Sequence, residues 1–290
     1  MDSALTTVGL PIALAIIMFG LGLSLTPDDF RRVGRHPRAV AVALACQLLL
    51  LPAVCFGLVK LFDLPPLLAI GMMLLAASPG GTSANLFSHL FHGDVALNVT
   101  LTAINSIIAI VSLPIITNLA IAHYDQSDTV SLQFGKVLEV FAIVLVPVAI
   151  GMVVRARAQE FAQRADKGVR IGSAVILAIL VVGILLDQRE NVAGYIADVG
   201  FVAALFCAAS LVAGYLIPKA LGIVEGQAIA SSMEIGVHNA TLAIFVAVEV
   251  LEATEISIPA AVYSLFMFVF AALWGAFISR RLSARATSTA

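Results

Sequence analysis

Charged residues are scarce in this chain: Asp, Glu, Lys and Arg make up 12% of its 290 residues, whereas 61% are apolar. A soluble domain has about 25% charged residues, and a mean hydropathy of +1.05 leaves too few polar groups to cover a soluble globule. The formal net charge of −2 gives no sign of the basic face that a nucleic-acid-binding protein needs. The composition therefore predicts an all-α, polytopic membrane protein in a lipid bilayer, with no nucleic-acid partner.

Cysteine is also rare. Cys46, Cys55 and Cys207 all lie inside apolar runs, and their spacing matches neither a metal site nor a disulfide framework. We interpret them as small buried hydrophobic residues, and we expect no organic cofactor.

Long apolar runs, in contrast, dominate the sequence. A helix needs roughly 20 apolar residues to cross the hydrocarbon, and we predict a single transmembrane domain over residues 1–290 with about nine spans. The first run lacks a basic N-terminal region and is longer than the roughly 7–15 apolar residues of a signal peptide, so we expect it to be retained. The predicted spans are 4–25, 39–60, 66–90, 95–122, 130–154, 171–187, 195–218, 226–248 and 257–279.

The distribution of Lys and Arg between the loops predicts the orientation of these spans. With the N-terminus outside and the C-terminus in the cytoplasm, 13 of the 16 basic residues fall on the inner side. The outer side keeps Lys60, Lys136 and Arg189. We therefore expect a multi-pass protein of the cell (inner) membrane with its N-terminus outside.

Two spans are interrupted near their middle. The third contains Pro79, Gly80 and Gly81, and the eighth contains Gly236 beside a polar cluster. Proline and glycine weaken a helix, and a break at membrane depth is tolerated where it is buried or lines a cavity. The two broken spans run in opposite directions, which predicts an inverted repeat and is typical of the binding site of a secondary transporter.

Glu234 is the clearest carboxylate in the middle of a span. An ionisable group there costs roughly 2.5–3.5 kcal/mol on the insertion scale, and we place no Lys or Arg at similar depth. Its partner is then a bound cation or a proton, the alternative being a protonated Glu bonded to neighbouring helices. Glu139 lies one turn from Lys136, with which we expect it to form an interfacial pair.

The fourth span carries Asn98, Thr102 and Asn105 at spacings that place them on one helix face. Their oxygen atoms suit a hard cation such as sodium, and the neighbouring broken helix carries Asn85. Gln47, in the middle of the second span, is either a further site residue or a link between helices.

The two breaks also offer a place for an anion. We expect the half-helices that begin at Thr82 and Ser83 and near His238 and Asn239 to present unpaired N–H groups and positive helix ends. His238 is a proton-sensitive switch, a donor to substrate or a satisfied interior histidine. Together the breaks and Glu234 favour cotransport of a cation and a carboxylate.

Three segments then show a resemblance to a known family: IMFGLGLSLTPDDF (17–30), SPGGTSANLFSHLFHGDVALNVTLTAINS (78–106) and MEIGVHNATLA (233–243). They resemble the bile acid:sodium symporter family, in its bacterial nine-helix form, over residues from about 12 to 280. The resemblance implies a core domain and a panel domain, with the two broken helices crossing in the core.

The resemblance also implies two sodium sites. The first would contain Ala84, Asn85, Asn98, Thr102 and Glu234, and the second Gln47, Glu234, Ile235, Val237 and His238. Ala84 and Asn98 replace serines of the family pattern, and His238 replaces a glutamine. In the ninth span, Met267 and Phe268 replace polar residues near the pocket.

We therefore expect a sodium-coupled secondary active symporter of a small or amphipathic organic anion, with one or two sodium ions and alternating access. A proton-coupled or uncoupled carrier on the same fold is the alternative. An intramembrane enzyme is a remote one, because no catalytic pair is predicted at mid-depth. The anion and the oligomeric state are left open, a monomer being compatible with the sequence.

Overall fold

The computed structural model describes residues 10–127, 134–187 and 192–288, and the regular structure in these ranges is helical apart from one isolated β-bridge. A 3-10 turn occupies Arg32–Gly34, and π-helical turns occupy Cys46–Leu50 and Val246–Val250. The α-helices are α1 (Leu10–Ser24), α2 (Pro27–Arg31), α3 (Pro37–Ala45), α4 (Leu51–Leu61), α5 (Pro66–Ala77), α6 (Ser83–Leu90), α7 (Val95–His123), α8 (Phe134–Arg157), α9 (Gln159–Asp187), α10 (Val192–Ala220), α11 (Glu225–Gly236), α12 (Ala240–Phe245) and α13 (Thr254–Ser288).

These helices overlap all nine predicted spans. The third span consists of α5 and α6, and the eighth consists of α11 and α12, so both are interrupted where the glycines occur. Residues 4–9 and 130–133 of the predicted first and fifth spans lie outside the described residues. In the described ranges five helices are long and apolar enough to cross a membrane, or six if the bent pair Pro11–Ser24 and Pro27–Gly34 counts as one. The number of nine crossings stays a prediction.

A sharp bend follows the first span. The helices Pro11–Ser24 and Pro27–Gly34 meet at 71°. The Asp29 carboxylate accepts hydrogen bonds from both the backbone N–H and the hydroxyl of Thr26, each at 2.7 Å. Thr100 of α7 donates to the carbonyl of Asp29 over 2.9 Å. The acidic turn thus fixes the start of α2 and attaches it to α7.

The helices pack in two groups. α1, α8 and α9 contact mainly one another, and Gly22 of α1 approaches α8 so closely that a Cβ there would overlap the Val148 carbonyl. α5, α7, α10, α11 and α13 form a second group, on which α3, α4, α6 and α12 pack. This division is consistent with a panel and a core, and the inverted-repeat relation stays a prediction.

One ion pair joins the two groups. The Lys136 ammonium of α8 lies 2.9 Å from the carboxylate of Glu252, in the segment between α12 and α13. The predicted pair between Lys136 and Glu139 was wrong, because the folded chain brings Glu252 within reach. Lys136 lowers the pKa of the Glu252 carboxyl through their hydrogen bond and opposite charges.

Candidate functional site

The two helix breaks bind to each other. Gly80 and His238 form an antiparallel bridge, in which Gly81 N–H donates to the Val237 carbonyl over 2.7 Å and Asn239 N–H donates to the Pro79 carbonyl over 2.8 Å. We expected unpaired N–H groups at the start of the half-helix that follows each break, and for Asn239 this was wrong. Two extended segments that lie side by side satisfy each other's backbone groups, as a site away from water requires.

Glu234 lies in the last turn of α11, beside this bridge, and is 0% exposed. Its carboxylate accepts a hydrogen bond from the Thr102 hydroxyl at 2.5 Å and from the Asn105 amide at 3.1 Å. No Lys or Arg pairs with it in the described part of the chain. The charge is therefore held by neutral donors alone.

Gly80 is required for this arrangement. A Cβ at position 80 would overlap the Glu234 carboxylate. The residue does not have a positive φ, so the need for glycine is one of space and not of backbone conformation. This close approach explains why the break between α5 and α6 carries a glycine at the position that faces the Glu234 carboxylate of α11.

Three buried amide oxygens of the described residues on α6 and α7 have no hydrogen-bond partner. The amide nitrogen of Asn98 donates to the Ala230 carbonyl at 2.8 Å, and that of Asn105 donates to Glu234. Because each nitrogen faces an acceptor, the orientation of the amide is settled and its oxygen is the unpaired atom. The Asn85 side-chain oxygen, in the first turn of α6, is also buried and unpaired. An unsatisfied buried polar atom costs about 1–3 kcal/mol, so these oxygens are suited to receive a ligand.

Thr102 can serve the same ligand. Its hydroxyl oxygen lies 3.1 Å from the carbonyl oxygen of Asn98, one turn earlier on α7. The hydroxyl proton can therefore turn from Glu234 to Asn98, which frees an oxygen lone pair beside the carboxylate. Ala84 is buried and apolar, so at most its backbone can take part.

A second group of polar residues surrounds Ser78, at the end of α5. The Gln47 amide nitrogen donates to the Ser78 carbonyl at 3.0 Å, and Nδ1 of His238 lies 3.3 Å from the same oxygen. Since a carbonyl only accepts, Nδ1 carries the proton and Nε2 of the neutral ring is an acceptor. Both the Gln47 side-chain oxygen and His238 Nε2 are buried and unpaired.

Aromatic rings hold the His238 side chain. It stacks on Phe206, with ring centroids 5.7 Å apart, and makes an edge contact with Tyr263 at 5.4 Å. Ile235 and Val237 are buried and apolar, so of this predicted set they can offer only carbonyl oxygens. The geometry gives His238 a fixed orientation and an acceptor, rather than a donor, as its remaining polar atom.

A partly open cavity of about 30 Å³ lies beside the bridge. It brings together the four residues predicted to bind substrate. Thr82 occupies the N-cap position of α6 without a side-chain capping hydrogen bond. The side-chain oxygen of Asn239 accepts from Leu242 N–H at 3.0 Å, so that this oxygen is committed to α12. The cavity is lined by Ile17, Gly81, Thr82, Ser83, Val237, His238, Asn239, Ala240, Thr241 and Met267.

Asn105 was predicted to share a helix face with Asn98 and Thr102, although the two sodium sites implied by the resemblance did not include it. Its amide contacts Glu234. Ile17 lines the cavity but is one of many apolar residues in α1, and no pattern in the sequence distinguishes it.

Comparison with known proteins identifies the family. The profile described as the Sodium Bile acid symporter family matches residues 11–195. The chain belongs to the sodium bile acid symporter family. It is therefore a multi-pass membrane protein of a transport family, which agrees with its apolar helices.

Relatives in this family come from plants, bacteria and animals. The probable sodium/metabolite cotransporter BASS1 of Arabidopsis thaliana is 26% identical over 275 residues, which cover 91% of this chain and 66% of the relative. The uncharacterized sodium-dependent transporter YocS of Bacillus subtilis is 29% identical over 231 residues, or 80% of this chain and 71% of the relative. The human ileal sodium/bile acid cotransporter is 26% identical over 273 residues, or 91% and 77%. The chain spans slightly less than two thirds of the Arabidopsis relative.

Proposed function

We propose that this protein is a sodium-coupled symporter of a small organic anion that works by alternating access. The observation that carries the proposal is the buried Glu234 carboxylate, held by Thr102 and Asn105 of α7, the helix on which the side-chain oxygens of Asn98 and Asn105 are buried and unpaired. Membership of the sodium bile acid symporter family supports the same conclusion.

The chemistry of the ligands favours a monovalent cation. Calcium and magnesium are held by six or more oxygens that often include several carboxylates, whereas this site offers one carboxylate with neutral amide and hydroxyl oxygens. Within the described residues no group of three or more His, Cys, Asp or Glu could hold a metal. We assign the first sodium to Asn85, Asn98, Thr102 and Glu234, with the Ala84 backbone.

A second sodium would share Glu234. The unpaired atoms of Gln47 and His238 would bind it together with the carbonyls of Ile235 and Val237. A nitrogen lone pair is a weaker ligand for a hard cation than an oxygen. The second site should therefore bind sodium less tightly than the first, and the stoichiometry is one or two ions per anion.

The anion would bind in the adjacent cavity. Thr82 and Ser83 begin α6, where hydroxyl groups and the positive end of the helix attract a carboxylate. Sodium bound near Asn85, in the same first turn, would add positive charge. Each ligand thereby improves the electrostatic environment of the other, which is the basis of coupling.

Alternating access would come from movement between the two helix groups. α12 packs against α1 and its residues are buried, whereas residues 81–83 at the start of α6 are partly exposed. The cavity therefore opens on the side of α6. The Lys and Arg distribution supports a cell-membrane orientation in which this side is cytoplasmic.

The test is uptake into proteoliposomes. In Glu234→Gln the charge is lost while the shape is nearly kept, so we expect sodium-dependent uptake of organic anions to disappear while the protein remains folded. Glu139→Gln makes the same change at an exposed carboxyl on α8 and should leave uptake unchanged. Sodium-dependent uptake by Glu234→Gln at the wild-type rate would refute the proposal.

Proton coupling is the second candidate, because His238 presents a buried, unpaired acceptor beside the proposed ion site. Uptake driven by a proton gradient in the absence of sodium, and abolished in His238→Gln, would replace sodium with a proton as the coupling ion.

A further inference from the structure

We infer that Ile17 and Met267 set the maximum length of the apolar part of the transported anion, which is a compact aliphatic carboxylate. This inference rests on the proposed function. Both side chains line the cavity and are almost completely buried, at 5% and 2% exposed. Neither belongs to the polar groups that would bind the carboxylate or sodium.

The lining of the cavity includes both polar hydroxyl groups and large aliphatic side chains. Thr82, Ser83 and Thr241 provide hydroxyl groups, whereas Ile17 and Met267 provide the two largest aliphatic side chains. A carboxylate bound at the start of α6 therefore leaves its apolar chain to contact the isoleucine and the methionine.

The size of the cavity favours a short chain. Pockets that enclose drug-sized ligands have volumes of about 300–1,000 Å³, whereas this cavity has about 30 Å³. Additional methylenes must then displace Ile17 or Met267, or extend out of the cavity.

The two side chains come from different helix groups. Met267 lies on α13 and Ile17 lies on α1. A chain that is too long would press on α1, the group that must move against the core. Ile17 is β-branched and stiff, whereas methionine adapts its shape, so we expect Ile17 to give the firmer limit.

Substitutions at these positions should change the length preference in both directions. Met267→Ala and Ile17→Ala create room, and each methylene that gains a buried position improves relative uptake about fourfold. Met267→Phe fills the cavity and should shift the preference toward shorter chains. Opposite shifts at one position cannot both result from poor folding.

The experiment measures sodium-driven uptake of unbranched monocarboxylates from acetate to octanoate, in competition with one another. Leu265→Ala and Ile16→Ala are matched controls, since these side chains lie on the same two helices but are 47% and 43% exposed. We expect the controls to keep the wild-type length profile, and the two alanine variants at the cavity to extend it by two or more methylenes.

The inference is wrong if the cavity variants share the length profile of the controls, and also if the wild type takes up none of these acids. In either case, sodium binding to the wild type and its loss in Glu234→Gln, measured without any anion, report separately on the proposed function.

Discussion

Gly80→Ala tests the contact between the two broken helices most directly. The new methyl group would occupy the position of the Glu234 carboxylate, so that either the carboxylate or the backbone bridge must move. The backbone conformation at position 80 is compatible with alanine. Any effect therefore reports the steric contact alone.

The size of the effect follows from the bonds that would be lost. If the carboxylate moves, its bonds to Thr102 and Asn105 weaken, and hydrogen bonds to charged groups contribute about 1.5–3 kcal/mol each. If the bridge opens instead, two buried backbone bonds are lost, at about 1–3 kcal/mol each when their partners stay unsatisfied. Both routes lead to a decrease in unfolding free energy of about 2–6 kcal/mol.

The assay combines denaturation in detergent with the sodium concentration that gives half-maximal uptake. We expect lower stability and at least a tenfold higher sodium requirement, which corresponds to about 1.4 kcal/mol. Gly57→Ala is the matched control, because a Cβ there meets open space in the helix α4 and should stabilise the protein by about 0.5–1 kcal/mol.

A double variant distinguishes this cause from a general defect. Glu234→Asp shortens the side chain and withdraws the carboxyl from position 80. Gly80→Ala combined with Glu234→Asp should therefore be less destabilised than the sum of the single variants, as expected for residues in contact. The reasoning is refuted if Gly80→Ala has the stability and sodium dependence of Gly57→Ala.

Two further predictions concern neighbouring contacts. Thr102→Val should raise the half-maximal sodium concentration about tenfold, equivalent to about 1.4 kcal/mol. Thr117→Val should leave that concentration unchanged, because it removes a buried hydroxyl of the same helix that has no partner. Equal sodium curves for the two variants would remove Thr102 from the ion site. Lys136→Glu should increase labelling of Thr241→Cys by an impermeant maleimide from the side of the Lys136–Glu252 pair, and the additional change Glu252→Lys should reverse it. Because the pKa of Glu252 is lowered, the pair is complete at neutral pH and is lost only as the pH falls through that lowered value. Labelling of the Lys136-containing protein, divided by that of the denatured protein at the same pH to cancel the change in thiolate fraction, should therefore stay constant between about pH 8 and 5; a rise in this ratio within that range would contradict this.

Local sequence features predicted the parts of the site that depend on spacing along one element. The three- and four-residue spacings of α7 placed Asn98, Thr102 and Asn105 on one face, and Thr102 and Asn105 both contact Glu234. The glycines and proline at 79–81 and the glycine at 236 marked both breaks. These features were accessible because helix periodicity and helix weakening are local properties.

Features that join distant parts of the chain could not be predicted in this way. The bridge between Gly80 and His238, the selection of Glu252 by Lys136 and the place of Ile17 in the cavity all depend on how helices pack. α9 begins at Gln159 rather than near residue 171, because hydropathy detects only the apolar part of a helix that continues through polar residues. An ion pair between Arg164 and Glu160 lies in that extension.

The antiparallel bridge has a thermodynamic consequence for transport. Because each break satisfies the other's backbone, moving the two breaks apart would expose unpaired groups in the membrane, so the ion ligands proposed on α6, α7 and α11 would move as one unit. Such a unit would present the same ligands to sodium at either face, and the intrinsic dissociation constant would then be equal on both sides. The direction of net flux is then determined by the sodium concentrations and by the membrane potential, which contributes about 2.3 kcal/mol per net charge moved for each 100 mV.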